Sequence, residues 1–427
     1  MTFSRKRHFV DGKLIAYYSV TAVRPISRLA IKLSHGGFSL QNVRFGAASG
    51  VIEDGLSTGN TLVDLRSDAS SASFPGVPRS EYLFVSNVRF LAMAGIVWVH
   101  TEYMWGSATP LSGAAYLQVV MLQMMKFGTI GFFLISGFLL GAGMQSARPY
   151  TYFQRRVKAV LVPWAFWGFV WFVIALSNHL MNEMSRRGLE ASLNEVVREY
   201  LEFVFTKSIY WFVPNFILCI AIVLGLYRRV PDLLQGAVFL AFSLFHGANV
   251  YLHIIPASHT SALLGFVFYI WLGSFAYKHR DRFTDWLDKT SWLSLISYTC
   301  VAAVLAMVES HVLMSRPGDA SNTLRVSNQA YSVLVILLIV KCKGALYPRW
   351  LKVRSETFGI FLLHPILLEV ASLAMRKIPV GARLGISADG PLLISIGVVS
   401  FFVCYLCALL LTKTILKTPH LSWLVER

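Results

Sequence analysis

Arg89 and His100 stand in the first long apolar run of the chain, Phe84-Val-Ser-Asn-Val-Arg89-Phe-Leu-Ala-Met-Ala-Gly-Ile-Val-Trp-Val-His100. Ionisable groups at membrane depth are costly and tend to be kept for function. Eleven residues of helix turn through about 1100°, three turns and roughly 20°, so both side chains fall on one face. They are separated by a rise of about 16 Å. This spacing suits an anchor for a large anionic ligand at one end of a slot and a proton-handling imidazole at the other. The competing assignments are structural: an arginine near a helix end can snorkel to the interface, and a histidine can be a hydrogen-bonded bundle residue.

Further groups with chemical potential lie along the chain. Ser136 sits in Gly131-Phe-Phe-Leu-Ile-Ser136-Gly137-Phe-Leu. Its hydroxyl can hold a carbonyl, act as an acyl relay, or be a small-residue helix contact, the role we assign to Gly131 and Gly137. Arg155, Arg156 and Lys158 form a basic cluster suited to phosphates, though positive loops beside membranes also carry such residues for orientation alone. Trp211 and Phe212 can stack on a sugar ring or belong to an interfacial aromatic belt. His246, His253 and His259 have poor spacing for a metal, and no metal is expected. Cys404 and Cys407 share a helix face as small packing residues.

The elements that must position these groups are membrane helices. The 427 residues are 55% hydrophobic and 14% charged, with a mean hydropathy of +0.57, which excludes an ordinary soluble domain. Apolar stretches of spanning length or nearly so lie at 83–103, 127–145, 159–178, 209–227, 233–251, 261–277, 291–308, 328–340, 355–375 and 391–412. The expected fold is therefore an all-α integral membrane protein of about ten transmembrane helices. With a cytoplasmic N-terminus, the inner loops hold 15 Lys and Arg in 45 residues and the outer segments 10 in 96. That bias places both termini in the cytoplasm. It also accounts for the net charge of +17 without nucleic acid.

Residues 1–80 differ in texture: basic at the start, then rich in Ser, Gly and Asp around Ser57–Pro78. They read as a disordered cytoplasmic tail or an upstream extension, and 81–427 as the membrane domain. The segment 179–208 is expected to be the longest outer loop, with the charge spacing of a solvated helix face.

Taken in order, four patterns resemble the acyltransferase family 3 membrane proteins. They are Asn87-Val-Arg89-Phe-Leu-Ala with His100; Gly131-Phe132-Phe133-Leu134-Ile135-Ser136-Gly137; Tyr152-Phe153-Gln154-Arg155-Arg156-Val157-Lys158 leading to Pro163-Trp164; and Phe361-Leu362-Leu363-His364-Pro365. Asn87-Val88 replaces the Asp-Gly pair many relatives carry, which alters hydrogen bonding around Arg89. The resemblance implies an O-acyltransferase, most simply an O-acetyltransferase, of the inner (plasma) membrane. Acyl-coenzyme A, acetyl-coenzyme A above all, is the implied donor. A sugar hydroxyl of an exported polysaccharide or lipid-linked precursor is the implied acceptor, with membrane lipid and polysaccharide-assembly proteins as partners.

Residue chemistry agrees with this reading. Acyl transfer to a hydroxyl needs a base for the proton and a donor for the developing oxyanion. Imidazole, titrating ordinarily at about 6.5, makes His100 the best base. His364 either polarises the carbonyl, binds the acceptor or packs helices, and meets His100 only if their helices are tilted or offset. Arg89, Arg155, Arg156 and Lys158 would hold the donor's phosphates, while Trp211 and Phe212 would contact the sugar. A transporter or flippase for a glycolipid or acyl carrier, or a scaffold for polysaccharide assembly, are the readings from other classes.

Overall fold

The computed structural model describes residues 3–10, 13–20, 28–34, 37–43, 83–104, 113–145, 149–187, 208–314, 320–376 and 391–425. Two units divide between Phe74 and Pro75. In the first, β1 (Phe3–Val10), β2 (Lys13–Val20), β3 (Arg28–Ser34) and β4 (Gly37–Val43) form an antiparallel sheet of order β1-β2-β3-β4. Val10 pairs with Lys13. The intervening sequence is Asp11-Gly12, a pair favoured in two-residue hairpin connections. Leu29, Ile31 and Leu33 alternate with Ala30, Lys32 and Ser34, the two-residue period of a strand. The strands of this unit thus cover 3–10, 13–20, 28–34 and 37–43. Residues 44–80 of the expected tail lie outside the described residues.

Described elements of the second unit are helical, as an apolar chain in lipid must be if its backbone groups are to be satisfied internally. In chain order they are α1 (Leu83–Met104), α2 (Gly113–Met125), α3 (Phe127–Met144), α4 (Pro149–Arg187), a short 3-10 turn (Ile209–Trp211), α5 (Phe212–Leu226) and α6 (Asp232–Leu252). There follow α7 (Val267–Lys278), α8 (Arg280–Lys289), α9 (Trp292–Met314), α10 (Val326–Lys341), α11 (Val353–Arg376) and α12 (Pro391–Lys417). Eight segments are long and apolar enough to cross a membrane, and α10 is a shorter apolar helix. All ten expected stretches carry a helix.

Three expectations change in detail. The segment 104–126, assigned to an outer loop, contains α2, which runs through a turn at Lys126 into α3. One charged residue breaks the apolar run, but the polar side chains Gln118 and Gln123 are buried, so the helix is held by packing. The sixth stretch is helical only from Val267; residues 253–266 form irregular turns, and Leu264 has φ 67°. Beyond Ser177, α4 continues to Arg187 where a loop was expected, and residues 188–207 lie outside the described residues.

Burial separates centre from periphery. Two thirds (67%) of the span across α2 and α3 is buried inside the protein, and 56% of that in α1, against 22% in α4 and 28% in both α9 and α12. The outer three expose rows of large apolar side chains, among them Phe169, Val301, Leu305, Phe402 and Leu410, as lipid-facing helices do. One core cluster joins α1, α11 and α12 through Met93, Val97, Leu362, Ala408 and Leu409. Another joins α3, α5 and α7 through Phe133, Phe216, Phe266 and Ile270. α1 and α3 thus form the inner wall between two packed halves.

Candidate active site

His100 and His364 meet. They stand 264 positions apart, yet His100 Nδ1 lies 3.0 Å from His364 Nε2, and the rings stack at 15° with centroids 5.2 Å apart. His364 is fully buried, and its Nδ1 lies 3.0 Å from the Ile360 carbonyl one turn back on α11. A carbonyl only accepts, so His364 Nδ1 carries the proton directed at Ile360. A neutral His364 then offers Nε2 as an acceptor, which His100 Nδ1–H fills. Both nitrogens of His364 are thereby engaged, and the lone pair of His100 is left on Nε2. The proline that follows, Pro365, has no N–H and releases the carbonyl four residues before it, loosening α11 at this point.

His100 lines a cavity with Lys126, Thr129, Trp211, Phe212, His259, Thr323 and Phe361. Its neighbour is apolar, walled by Ile96, Phe132, Phe212, Phe361, Thr357 and Ser136. A third cavity, walled by Ser136, Tyr152, Phe153, Arg156 and Val157, lies beyond. The first and second share Ile96, Phe212 and Phe361; the second and third share Ser136, Val160 and Phe216. Adjoining cavities thus lead from the chamber lined by His100 and Lys126, through an apolar waist, to a third, mostly apolar chamber whose one basic lining residue is Arg156.

Arg89 is buried near the start of α1, and its Nε has no hydrogen-bond partner among the described residues. Arg156 and Arg354 act on it as like charges. Three guanidinium groups thus gather around the start of α1. Asn87, fully buried, fixes this end: its amide donates to the Gly344 carbonyl at 2.8 Å and its oxygen accepts from Leu346 N at 2.9 Å. Asn87 is therefore a clamp on the loop between α10 and α11, using both its donor and its acceptor.

The remaining expected residues divide. Of the basic cluster, Arg156 lines a cavity, while Arg155 and Lys158 are exposed on other faces of α4. Trp211 is buried and faces His259 edge-on, with ring centroids 5.7 Å apart. Its turn is held by the Trp164 indole donating to the Tyr210 carbonyl at 3.1 Å and the Tyr210 hydroxyl donating to the Leu362 carbonyl at 2.9 Å. Ser136 is absent from the lining of the His100 chamber and stands where the waist meets the third chamber. The three histidines of the central loop separate: His246 bonds the Leu263 carbonyl, His253 ends α6 with φ 50°, and only His259 reaches the chamber. Sequence reasoning missed Lys126, Arg354 and Thr323. The signal for Lys126 was present, a lone cation inside a long apolar stretch.

Fold and site define a multi-pass membrane protein in which His100 lines a cavity and His364 stands behind it. The acyltransferase 3 family model, described as an acyltransferase domain, matches residues 82–412, and the chain belongs to that family. It is a multi-pass membrane acyltransferase. The chain is also 23% identical over 272 residues to probable poly-beta-1,6-N-acetyl-D-glucosamine export proteins from Staphylococcus aureus strains MSSA476, MRSA252 and MW2, covering 60% of this chain and 73% of each relative. No solved structure matches.

Proposed function

We propose that this acyltransferase moves an acyl group, most simply acetyl, from acyl-coenzyme A to a sugar hydroxyl of an exported polysaccharide or its lipid-linked precursor at the inner (plasma) membrane. The observation that carries the reading is the 3.0 Å His100–His364 contact, with His100 lining a chamber that connects through the apolar waist to the cavity lined by Arg156. Arg89, Arg156 and Arg354 hold the donor's phosphates by charge-assisted hydrogen bonds on the cytoplasmic side. The pantetheine arm runs through the apolar waist, and the thioester reaches His100. Trp211 and Phe212 face the sugar. His100 Nε2 takes the proton of the acceptor hydroxyl, whose oxygen attacks the thioester carbon; the departing thiolate takes that proton from the imidazolium. His364 holds the tautomer and takes no proton. The acyltransferase family, together with the name of the relatives, supports a polysaccharide acceptor.

Those relatives are named for export, and moving a glycan is the competing activity. The two are separated in cells lacking this chain and complemented with wild type, His100→Ala or Arg89→Ala. Mass spectrometry of the surface glycan should find the ester-linked acyl group with wild type, lose it with His100→Ala and find less of it with Arg89→Ala. Full acylation with either variant, or unchanged esters with less glycan at the surface, would overturn the enzyme reading in favour of transport.

A further inference from the structure

Acyl transfer needs a hydrogen-bond donor where charge develops on the thioester oxygen, and neither obvious candidate is placed for it. His364 has both ring nitrogens engaged. Ser136 walls the waist and the third chamber and is not part of the lining around His100. One cationic side chain lines that chamber: Lys126, buried to 6% exposure.

Its position is built by the fold. Lys126 occupies the turn between α2 and α3, its backbone N–H donating to the Gln123 carbonyl at 3.2 Å. Gln123 is in turn buried and locked from the far side. Its amide donates to Asn328 at 2.7 Å, and the Arg325 guanidinium donates to its oxygen. On the near side the turn lies directly on α1. A Cβ at Gly95 would stand 2.7 Å from the Met125 carbonyl, and one at Gly128 would stand 2.6 Å from the Ala92 carbonyl. Only glycine permits that approach. It sets the turn that carries Lys126 against α1 at Gly95 and Ala92, five and eight residues before His100, a location that a lysine kept for solvation or lipid headgroups would not occupy.

We propose that Lys126 is a further catalytic residue, its ammonium donating to the oxyanion formed when the acceptor oxygen attacks the thioester carbon. As that bond forms, the carbonyl π pair moves to oxygen beside Lys126 Nζ; as the carbon–sulfur bond breaks, the pair returns and the thiolate leaves with the proton carried by His100. The inference rests on the proposed acyl transfer.

The test uses full-length protein in proteoliposomes, labelled acetyl-coenzyme A, and envelope glycan from cells lacking this chain. Lys126→Met should lower kcat by about 10²- to 10³-fold, the usual loss for one oxyanion donor, with KM for acetyl-coenzyme A and the affinity for coenzyme A itself little changed. Lys126→Cys should be equally slow and regain at least about tenfold when alkylated with 2-bromoethylamine, which rebuilds an ammonium at nearly the same reach; wild type treated alike controls for the five native cysteines. A Lys126→Met kcat near wild type, a loss confined to KM, or no recovery on alkylation of monodisperse Lys126→Cys would overturn the role of Lys126. His100→Ala run in parallel separates the two claims: if it still transfers label, the acyl-transfer reading itself fails.

Discussion

Removing the His364 ring tests the histidine pair at its least accessible point. In the native arrangement His100 Nδ1–H is satisfied by His364 Nε2 at 3.0 Å, and His364 is itself tied to Ile360 at 3.0 Å. His364→Ala leaves the His100 N–H without that acceptor, at a cost of about 1–3 kcal/mol for an unsatisfied donor. The imidazole escapes the cost by rotating or changing tautomer, and either motion takes the lone pair off the reactive nitrogen. At 1.36 kcal/mol per tenfold, the productive fraction, and with it kcat, falls by about 5- to 150-fold. His364→Gln retains a side-chain oxygen able to accept from Nδ1–H and should remain within about fivefold of wild type. The assay is steady-state transfer of acetyl label in proteoliposomes, with KM for the donor expected to be unchanged in both variants. His364→Ala also vacates a fully buried site, so thermal unfolding is measured alongside; a drop equivalent to about 2–4 kcal/mol is expected. Equal kcat for wild type and His364→Ala would refute the orienting role. Equal losses in the Ala and Gln variants would assign His364 to packing instead.

Other outcomes follow from the same geometry. Arg89→Ala should raise KM for acetyl-coenzyme A by about tenfold or more, since a charged hydrogen bond is worth about 1.5–3 kcal/mol, with kcat less affected; the reverse pattern would place Arg89 in the chemical step. Ser136→Ala should keep kcat within about threefold, because the hydroxyl lies outside the His100 chamber and an acyl relay would instead lose most activity and its burst phase. Gln123→Ala removes one of the acceptors of the buried Arg325 and the donor to Asn328, and should lower stability by about 1–3 kcal/mol in thermal unfolding; an unchanged melting temperature would remove that network from the account. A chain beginning at Glu81 should insert in the membrane and acylate at the wild-type level, and loss of activity in inserted protein would give residues 1–80 a catalytic role.

Helix identity was legible because a bilayer leaves little choice: a run such as 391–412 can only be a span. What failed was local. Lys126 made 104–126 look like a loop, although the buried Gln118 and Gln123 let α2 continue to its edge. The stretch 261–277 is apolar throughout, but its first turns are irregular, something hydropathy does not register. In the basic cluster, consecutive helical residues diverge by about 100°, so Arg156 points away from Arg155, which shares an exposed face with Lys158 at i,i+3; of the three, only Arg156 reaches a cavity. The meeting of His100 with His364 has no trace in local sequence, since it depends on how α1 and α11 cross. The chemistry of each residue was readable alone, and their assembly was a property of the packed bundle.

The central claim, that this chain transfers an acyl group with His100 as the base, is tested most directly by following the acyl carbon. Purified wild type and His100→Asn are reconstituted and given acetyl-coenzyme A labelled in the acetyl group, together with envelope glycan from cells lacking the chain. The label should appear as base-labile ester on the glycan, with one free thiol released per ester, for wild type alone. Label transferred at the wild-type rate by His100→Asn, or coenzyme A left intact by wild type while glycan crosses the membrane, would contradict the account.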